Sequence, residues 1–333
     1  MEIAPGLHVI DSYVDNRLLR VFAFISGEQA VLVDAGLPFT PEQAIFPYMD
    51  SIGLSCGSIR AVIVTHCDLD HFGGCGNLKR MISNLSVYAH PRDAVHLQNP
   101  QLHWQERFER PFRKAGLSVD VKRRAGFLVA AGEGLSDIKE LDANVRLSEA
   151  LAGCVSDPGL LSLLERIVVL HLPGHTDGHI GLYDEEAKTA IIADSVMGDG
   201  IRDQGGELLF PPSLSNAEDY LSSARRLMSL PIERLLGSHF PEMSGVQAAR
   251  FLKRSTELIG EVAAQTERLL RQSGRPLSAK QLCDGLYSAF GLWQERWMFK
   301  GPELFLPVIE HLEKRETLVR EDDAGTVRWS LNR

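Results

Sequence analysis

Residues 64–74 read "VTHCDLDHFGG", and the reading of this stretch decides the fold. His66, Asp68, Asp70 and His71 fall within six residues, directly behind the apolar run "AVIV" at 61–64. An apolar, β-branched run closed by a turn reads as a buried strand. The end of a buried strand is a costly place for two imidazoles and two carboxylates unless a cation compensates them, and a divalent metal pair does so. Working outward, the same order of apolar strand, turn and ligand-type residue recurs four times. It gives Asp34 in "VLVDAG", His175 in "LPGHTDGH", Asp194 in "IIADS" and His239 in "LLGSHFPE". One metal site accounts for all of them together; a structural reading must explain each separately.

The surrounding pattern is mixed α/β. Runs such as "RVFAFIS", "LSVYAH", "RIVVLHLPGH", "HIGLYDE" and "RLLGSH" read as short strands, and "PEQAIFPYMDSIG" and "GCGNLKRMISN" carry helical periodicity between them. Over about 95–165 the strand signal fades, while "HLQNPQLHWQERFERPF" and "DPGLLSLLER" read as helices, so this part is expected to be an insertion or cap. From about 248 to 273 apolar residues including Leu252, Leu258, Ile259, Val262 and Leu270 share one helical face, closed by Gly274 and Pro276. That helix is expected to lead out of the main domain.

Composition bounds the class. A chain of 333 residues with 44% hydrophobic and 24% charged residues is neither disordered nor fibrous, and no apolar run approaches the about 20 residues that span a bilayer. The opening "MEIAPGLHVIDSYV" lacks a basic stretch followed by an apolar one and reads as a turn and a strand. Five scattered cysteines without a CxxC pair argue against a disulfide framework and for a cytoplasmic setting. A net charge of −9 disfavours a general polyanion binder.

As an ordered set, Asp34, His66, Asp68, Asp70, His71, His175, Asp194 and His239 resemble the metallo-β-lactamase superfamily, whose HxHxDH signature is followed by separate His, Asp and His ligands. The resemblance spans roughly 5–245. It implies an α/β fold, a four-layer αβ/βα sandwich with metals at one edge between two sheets. The organisation expected is a catalytic domain over 1–246 with the helical insertion, a connecting helix over 247–274, and a small winged-helix-like region over 275–333. Carried over position by position, His66, Asp68 and His175 would hold a first metal and Asp70, His71 and His239 a second. Asp194 would bridge, Asp34 would steady a ligand from behind, and Asp70 would also shuttle protons as the catalytic residue. His179, four residues beyond His175, would buttress the site.

One position departs from the pattern: Asp68 stands where the second His of the signature usually does. An added carboxylate hardens the ligand set. Two divalent ions are implied, zinc first, with iron or manganese as alternatives because of Asp68. A single filled site stays open as a further alternative at this point. The carboxylate also resembles the Glu of the superfamily's diiron flavoproteins, yet the 60 residues after Ser273 show no βαβ repeat for a flavodoxin-like domain.

The chemistry expected is hydrolysis by a metal-bound hydroxide, which forms near neutral pH. No GxSxG elbow, Walker sequence or GxGxxG after a strand competes with that reading. The resemblance implies a small-molecule ester, thioester or lactone as substrate. Alternatives are a phosphodiesterase or nuclease, a hydrolytic dehalogenase of an activated aromatic, and a metal-containing binding protein of reduced catalytic power. His90 and His171 are read as packed at strand ends and Cys67 as an inert thiol. Residues 275–333 read as helix, helix and a β-hairpin turning at Ala324 and Gly325. They hold nine Lys/Arg and nine Asp/Glu, and Glu303, Glu310, Glu313 and Glu316 on one helix would repel phosphates. A dimerising or pocket-closing role is therefore expected, with no nucleic-acid or membrane partner. Residues 107–124 carry seven Lys/Arg against two Asp/Glu. Trp104, Phe108 and Phe112 recur there every four residues, although Pro111 should kink or end the helix near Arg110. Together with Arg110 and Arg113 these aromatics form the candidate pocket for an anionic substrate, against the alternative of a packed stripe with a solvated basic face.

Overall fold

The computed structural model describes residues 1–323 and 326–332. Two sheets face each other. In the first, seven strands follow in chain order: Glu2–Ala4, Leu7–Val14, Arg17–Ser26, Gln29–Val33, Ile59–Val64, Ser86–Ala89 and Ile138–Glu140. The first four are antiparallel and the last three continue parallel to Gln29–Val33, which requires crossovers. The second sheet orders Met243–Ser244, Arg234–Leu236, Thr189–Ile191, Ile180–Asp184 and Ile167–His171.

Side chains alternate across the first sheet with period two. Val31, Val33, Ala61 and Ile63 meet Val169, Ile180, Leu182, Ile191 and Leu236 between the sheets. Leu32, Val62 and Val64 face the other way, under Ile45, Met49 and Leu78 of the covering helices. Burial on both faces is why these strands read as unbroken apolar runs. The outer face of the second sheet, through Tyr183, Ala190 and Leu235, packs on Tyr220, Ala224 and Leu227 and on Ala248 and Leu252. The result is the four-layer αβ/βα sandwich.

Register places the site. Gln29–Val33 and Ile59–Val64 run parallel with Val33 opposite Ile63, and Thr189–Ile191 and Arg234–Leu236 run parallel with Ile191 opposite Leu236. The turns after these four strands therefore bring Asp34, His66, Asp194 and His239 to one edge of the sandwich.

Three features differ from expectation. Within 95–165, Ile138–Glu140 is the edge strand of the first sheet, and Leu147, Leu151, Leu160 and Leu164 pack between the sheets; a three-residue strand with two charged residues is too short to show as a pattern. The helix Gly245–Ser273 does not leave the sandwich. Its buried face shares one continuous core with Leu282, Leu286, Leu304, Val308 and Trp329 of the C-terminal region. A Ser244–Gln247 capping box starts it and left-handed Gly274 ends it. Pro111 does not break its helix: a π-turn over Gln105–Glu109 absorbs the missing N–H, and the chain stays helical to Lys114. In the C-terminal region the helices Ala279–Phe290 and Gly301–Lys314 precede paired strands Leu318–Asp323 and Thr326–Leu331. The turn expected at Ala324 and Gly325 lies outside the described residues. No described helix is long and apolar enough to cross a membrane.

Candidate metal centre

The turns deliver imidazoles whose outer nitrogens are already spoken for. His71 donates through Nδ1 to Asp34 Oδ2 at 2.8 Å. Asp34 sits in the left-handed region at φ 65° and also accepts from the Thr65 N–H at 2.7 Å and the Thr65 hydroxyl at 2.9 Å. His239 Nδ1 donates to the Leu18 carbonyl and His175 Nδ1 to the Ser213 carbonyl, each at 2.7 Å. His66 Nδ1 lies 3.0 Å from the Thr65 hydroxyl oxygen, whose proton goes to Asp34. Each acceptor fixes the tautomer of the neutral ring, so that all four rings turn Nε2 inward as the nitrogen free to take a proton or a metal.

Three carboxylates meet those nitrogens. Asp68 Oδ2 lies 3.0 Å from His175 Nε2 and 3.9 Å from His66 Nε2. Asp70 Oδ2 lies 3.4 Å from His239 Nε2, and Asp70 Oδ1 lies 4.0 Å from His71 Nε2. Asp194 Oδ2 sits 3.2 Å from His239 Nε2 and 3.5 Å from His71 Nε2. Donor atoms of the expected ligands fall into three groups, each within 4.8 Å: His66, Asp68 and His175; Asp70, His71 and His239; and His66, His71 and Asp194; beside them Cys67, Asp68 and His103 make a further group. The seven residues expected as ligands are thus brought together, and the third group links the other two.

Two observations test whether divalent ions fit. Among the described residues, His66 Nε2, His71 Nε2 and Asp194 Oδ1 are buried without a hydrogen-bond partner, and each such atom costs about 1–3 kcal/mol if left unsatisfied. The charge balance points the same way. Burial opposes ionisation of Asp68, yet Arg107 and His175 hold it well below the usual carboxylate range, and His239 and His71 do the same for Asp194. Burial disfavours charge on His239, but Asp194 and Asp70 raise it to about 9; Asp34 and Asp194 raise His71 in the same sense. The carboxylates demand positive charge, and protons on these imidazoles supply what a metal pair would displace.

His179 lies beside these residues: its Nε2 accepts from the Asp194 N–H at 3.3 Å and its ring stacks on His66 at 4.7 Å. His90 and His171 stack on each other at 4.4 Å, with His171 Nε2 donating to the Asp177 carbonyl at 2.9 Å. Cys67 is buried, and burial and then Asp93 push its thiol well up, which leaves it inert.

Four residues that shape the centre escaped the sequence reading. Arg107 is buried, with Nε 3.7 Å from Asp68 Oδ1 and Nη2 donating to Ser213 Oγ at 2.9 Å. His103 Nε2 also stands 3.7 Å from Asp68 Oδ1. Ser213 carries the acceptor for His175. Buried Asp93 accepts from the Cys67 N–H at 2.9 Å, the Thr176 hydroxyl at 2.7 Å and the Gly178 N–H at 2.7 Å, tying the two ligand loops together. The four-residue spacing of His103 and Arg107 was the available signal.

The candidate pocket is redrawn. A cavity of about 80 Å³ beside Cys67, His103 and Arg107 adjoins one of about 260 Å³, the two sharing Glu106, Arg107, Asp177 and Ser215. Phe108 and Phe112 wall the larger cavity against Leu214 and Leu306. Trp104 is instead packed at 5.0 Å on Phe108 and 5.7 Å on Phe127. Arg113 does not line the cavity: its side chain is 70% exposed and paired with Glu109 at 2.8 Å. Arg110 lies at the rim, 74% exposed and paired with Glu106 at 3.4 Å. Both are solvated helix-face pairs, one helical turn apart from their acidic partners.

A double-sheet sandwich with His and Asp donors gathered along one edge defines the class, a metallo-hydrolase. The family model described as the metallo-beta-lactamase superfamily matches residues 19–239, and the chain belongs to that superfamily. A probable metallo-hydrolase of Bacillus subtilis (strain 168), YqjP, is 25% identical over 321 residues, 92% of this chain and 90% of the relative. The acyl-coenzyme A thioesterase MBLAC2 of Gallus gallus is 36% identical over 86 residues, 24% of this chain and 28% of the relative. Among solved structures, the metallo-beta-lactamase family protein TTHA1429 from Thermus thermophilus superimposes with a TM-score of 0.75 at 17% identity, covering 99% of this chain and 100% of that one.

Proposed function

We propose that the chain is a dinuclear hydrolase of a small-molecule ester, thioester or lactone whose apolar arm lies between Phe108, Phe112 and Leu306. His66, Asp68 and His175 would hold one divalent ion, Asp70, His71 and His239 the other, and Asp194 would serve both. Zinc is the ion proposed, with iron or manganese favoured in proportion to the oxygen donor at Asp68. When bound, such a pair polarises a carbonyl and supplies a nucleophile from water at neutral pH. The chain's own part is orientation. Asp34, Leu18, Ser213 and Thr65 fix the imidazoles, and Asp70, whose side chain is the most exposed of the three carboxylates, is placed to move a proton. Phe108, Phe112, Leu214 and Leu306 bind the arm and exclude water.

The observation that carries this reading is the set of buried, unpartnered donors facing one another at the sandwich edge. The thioesterase relative supports an acyl bond over the short segment it matches. A nucleic-acid substrate is disfavoured because the C-terminal helix is tied to the insertion through Arg123–Glu303 and Lys114–Glu310 and is not free to enter a groove. The order helix, strand, helix, helix and hairpin after residue 244 supports the winged-helix-like reading, with the module serving as a wall of the pocket. The test is hydrolysis by the zinc-loaded protein of matched ester, thioester, lactone, phosphodiester and chloroaromatic substrates. Turnover of an acyl substrate, improving with acyl-chain length, supports the proposal; turnover confined to phosphodiesters or chloroaromatics overturns it.

A further inference from the structure

The two halves of the metal centre are held from different places. In the half formed by Asp70, His71 and His239, the outer nitrogens of the imidazoles rest on Asp34 and on the Leu18 carbonyl, both within the first sheet or the turn at its edge. In the half formed by His66, Asp68 and His175, two of three ligands rest on groups outside the sheets. His175 donates to the carbonyl of Ser213, in a loop, and Asp68 Oδ1 faces Arg107, in the π-turn of the insertion. Arg107 and Ser213 are themselves joined at 2.9 Å.

Both supports converge on one residue of the C-terminal region. The Glu303 carbonyl accepts from the Leu214 N–H at 3.0 Å, which anchors the loop one residue beyond Ser213. The Glu303 carboxylate, only 5% exposed, accepts from Arg123 Nη2 at 2.7 Å and from Lys300 Nζ at 3.1 Å. Arg123 in turn lies over the rings of Phe108, at 5.0 Å, and Trp104, at 6.0 Å, the residues flanking Arg107 on its helix. Arg107 and Glu303 line the same cavity and act on each other through space rather than as a contact pair, so charges alternate from Asp68 through Arg107 and Glu303 to Arg123 and Lys300. Burial opposes charge on Glu303, yet Lys300 and then Arg123 hold its carboxyl down at about 2.

We infer that Glu303, reaching across from the C-terminal helix Gly301–Lys314, is through its carboxylate a positioning residue for Asp68, so that the first half of the centre depends on the C-terminal region and the second does not. With Glu303 neutral, Arg123 and Lys300 lose their shared counterion and the positive charge around Arg107 is no longer balanced. Asp68 is then drawn toward the guanidinium, and a carboxylate committed to a guanidinium is a poorer metal donor. The backbone bond from the Leu214 N–H to the Glu303 carbonyl does not depend on that charge and stays, so the effect falls on Asp68. The inference rests on the dinuclear reading above.

The experiment measures zinc affinity by chelator competition, with elemental analysis, on full-length protein in two backgrounds. His239→Ala disables the second half and reports on the first; His175→Ala does the reverse. Glu303→Gln is expected to weaken the ion remaining in His239→Ala by about 10–100-fold, the range for loss of a group supporting a ligand, and to leave the ion remaining in His175→Ala unchanged. Arg107→Met should repeat that asymmetry and Arg107→Lys should recover part of it, an outcome that general destabilisation would not give. Equal weakening in both backgrounds, or none in either, overturns the inference. Should Glu303→Gln fail to fold, Glu303→Asp, which draws the carboxylate back from Arg123 and Lys300, decides in its place, with the same asymmetry expected and the same two results overturning the inference. A parent chain holding fewer than two ions would instead overturn the dinuclear reading, so the two failures are distinguishable.

Discussion

Asp34→Asn should disable a metal ligand without touching the metal. Asn tolerates the left-handed backbone that Asp34 adopts at φ 65°, so the substitution adds no strain. Its side chain, however, replaces one acceptor oxygen by an NH₂ donor. Oδ1 must accept from the Thr65 N–H at 2.7 Å, a donor that cannot reverse, so the oxygen of Asn is committed there. The NH₂ group then faces His71 Nδ1 at the 2.8 Å now spanned by a donated proton. His71 can meet it only by moving its proton to Nε2, the atom aimed at Asp70 and Asp194. That tautomer cannot ligate. Loss of a supporting group of this kind lowers metal affinity by about 10–100-fold, or about 1.4–2.7 kcal/mol. The assay is zinc competition on Asp34→Asn in the His175→Ala background, where the half containing His71 is read alone. Unchanged affinity would refute the claim that Asp34 sets the His71 tautomer.

Further outcomes follow from the same geometry. Asp68→His should move competitive loading toward zinc over iron and manganese and should lower the melting temperature, because buried Arg107 loses its counterion; identical loading ratios would mean that Asp68 does not touch metal. The metal-free protein should lose stability with rising pH. Folded His239 is raised from 6.5 to about 9, so its contribution, on the order of 3 kcal/mol, is complete below about pH 6.5 and lost as pH rises through about 9. Thermal melts in chelator should fall across that window and zinc-loaded melts should not; a flat metal-free profile would contradict the charge balance. Arg110→Ala and Arg113→Ala should each change stability by less than about 1 kcal/mol and leave KM for anionic and neutral substrates alike, since both pair with helix-face glutamates in water; a selective rise for anionic substrates would return them to the pocket.

What was legible in the sequence was whatever local pattern encodes. Strands buried on both faces announce themselves as apolar runs, and Asp34, His66, Asp194 and His239 stand one to three residues beyond such runs because the turns after parallel strands gather at one edge. The long amphipathic helix and its Gly274 stop were readable for the same reason. What stayed hidden depends on contacts between distant segments. Arg107 looked like one of seven basic residues, and nothing local distinguishes it from Arg110 or Arg113. The π-turn that rotates it inward is set by Pro111 four residues on and by packing of the insertion. Glu303 likewise sat among helix glutamates that looked solvated, whereas its partners Arg123 and Leu214 lie 180 and 89 residues away. Ile138–Glu140 became a strand only because Ser86–Ala89 had an open edge.

Seven ligands gathered in two linked groups set the metal stoichiometry. Elemental analysis of the protein, refolded from chelator and loaded with zinc, should return about two ions per chain, about one in His239→Ala, and weakened binding of both in Asp194→Ala, because Asp194 lies between the two groups of ligands. An ion count that is the same in all three proteins, or full hydrolytic activity in the chelated one, would contradict it.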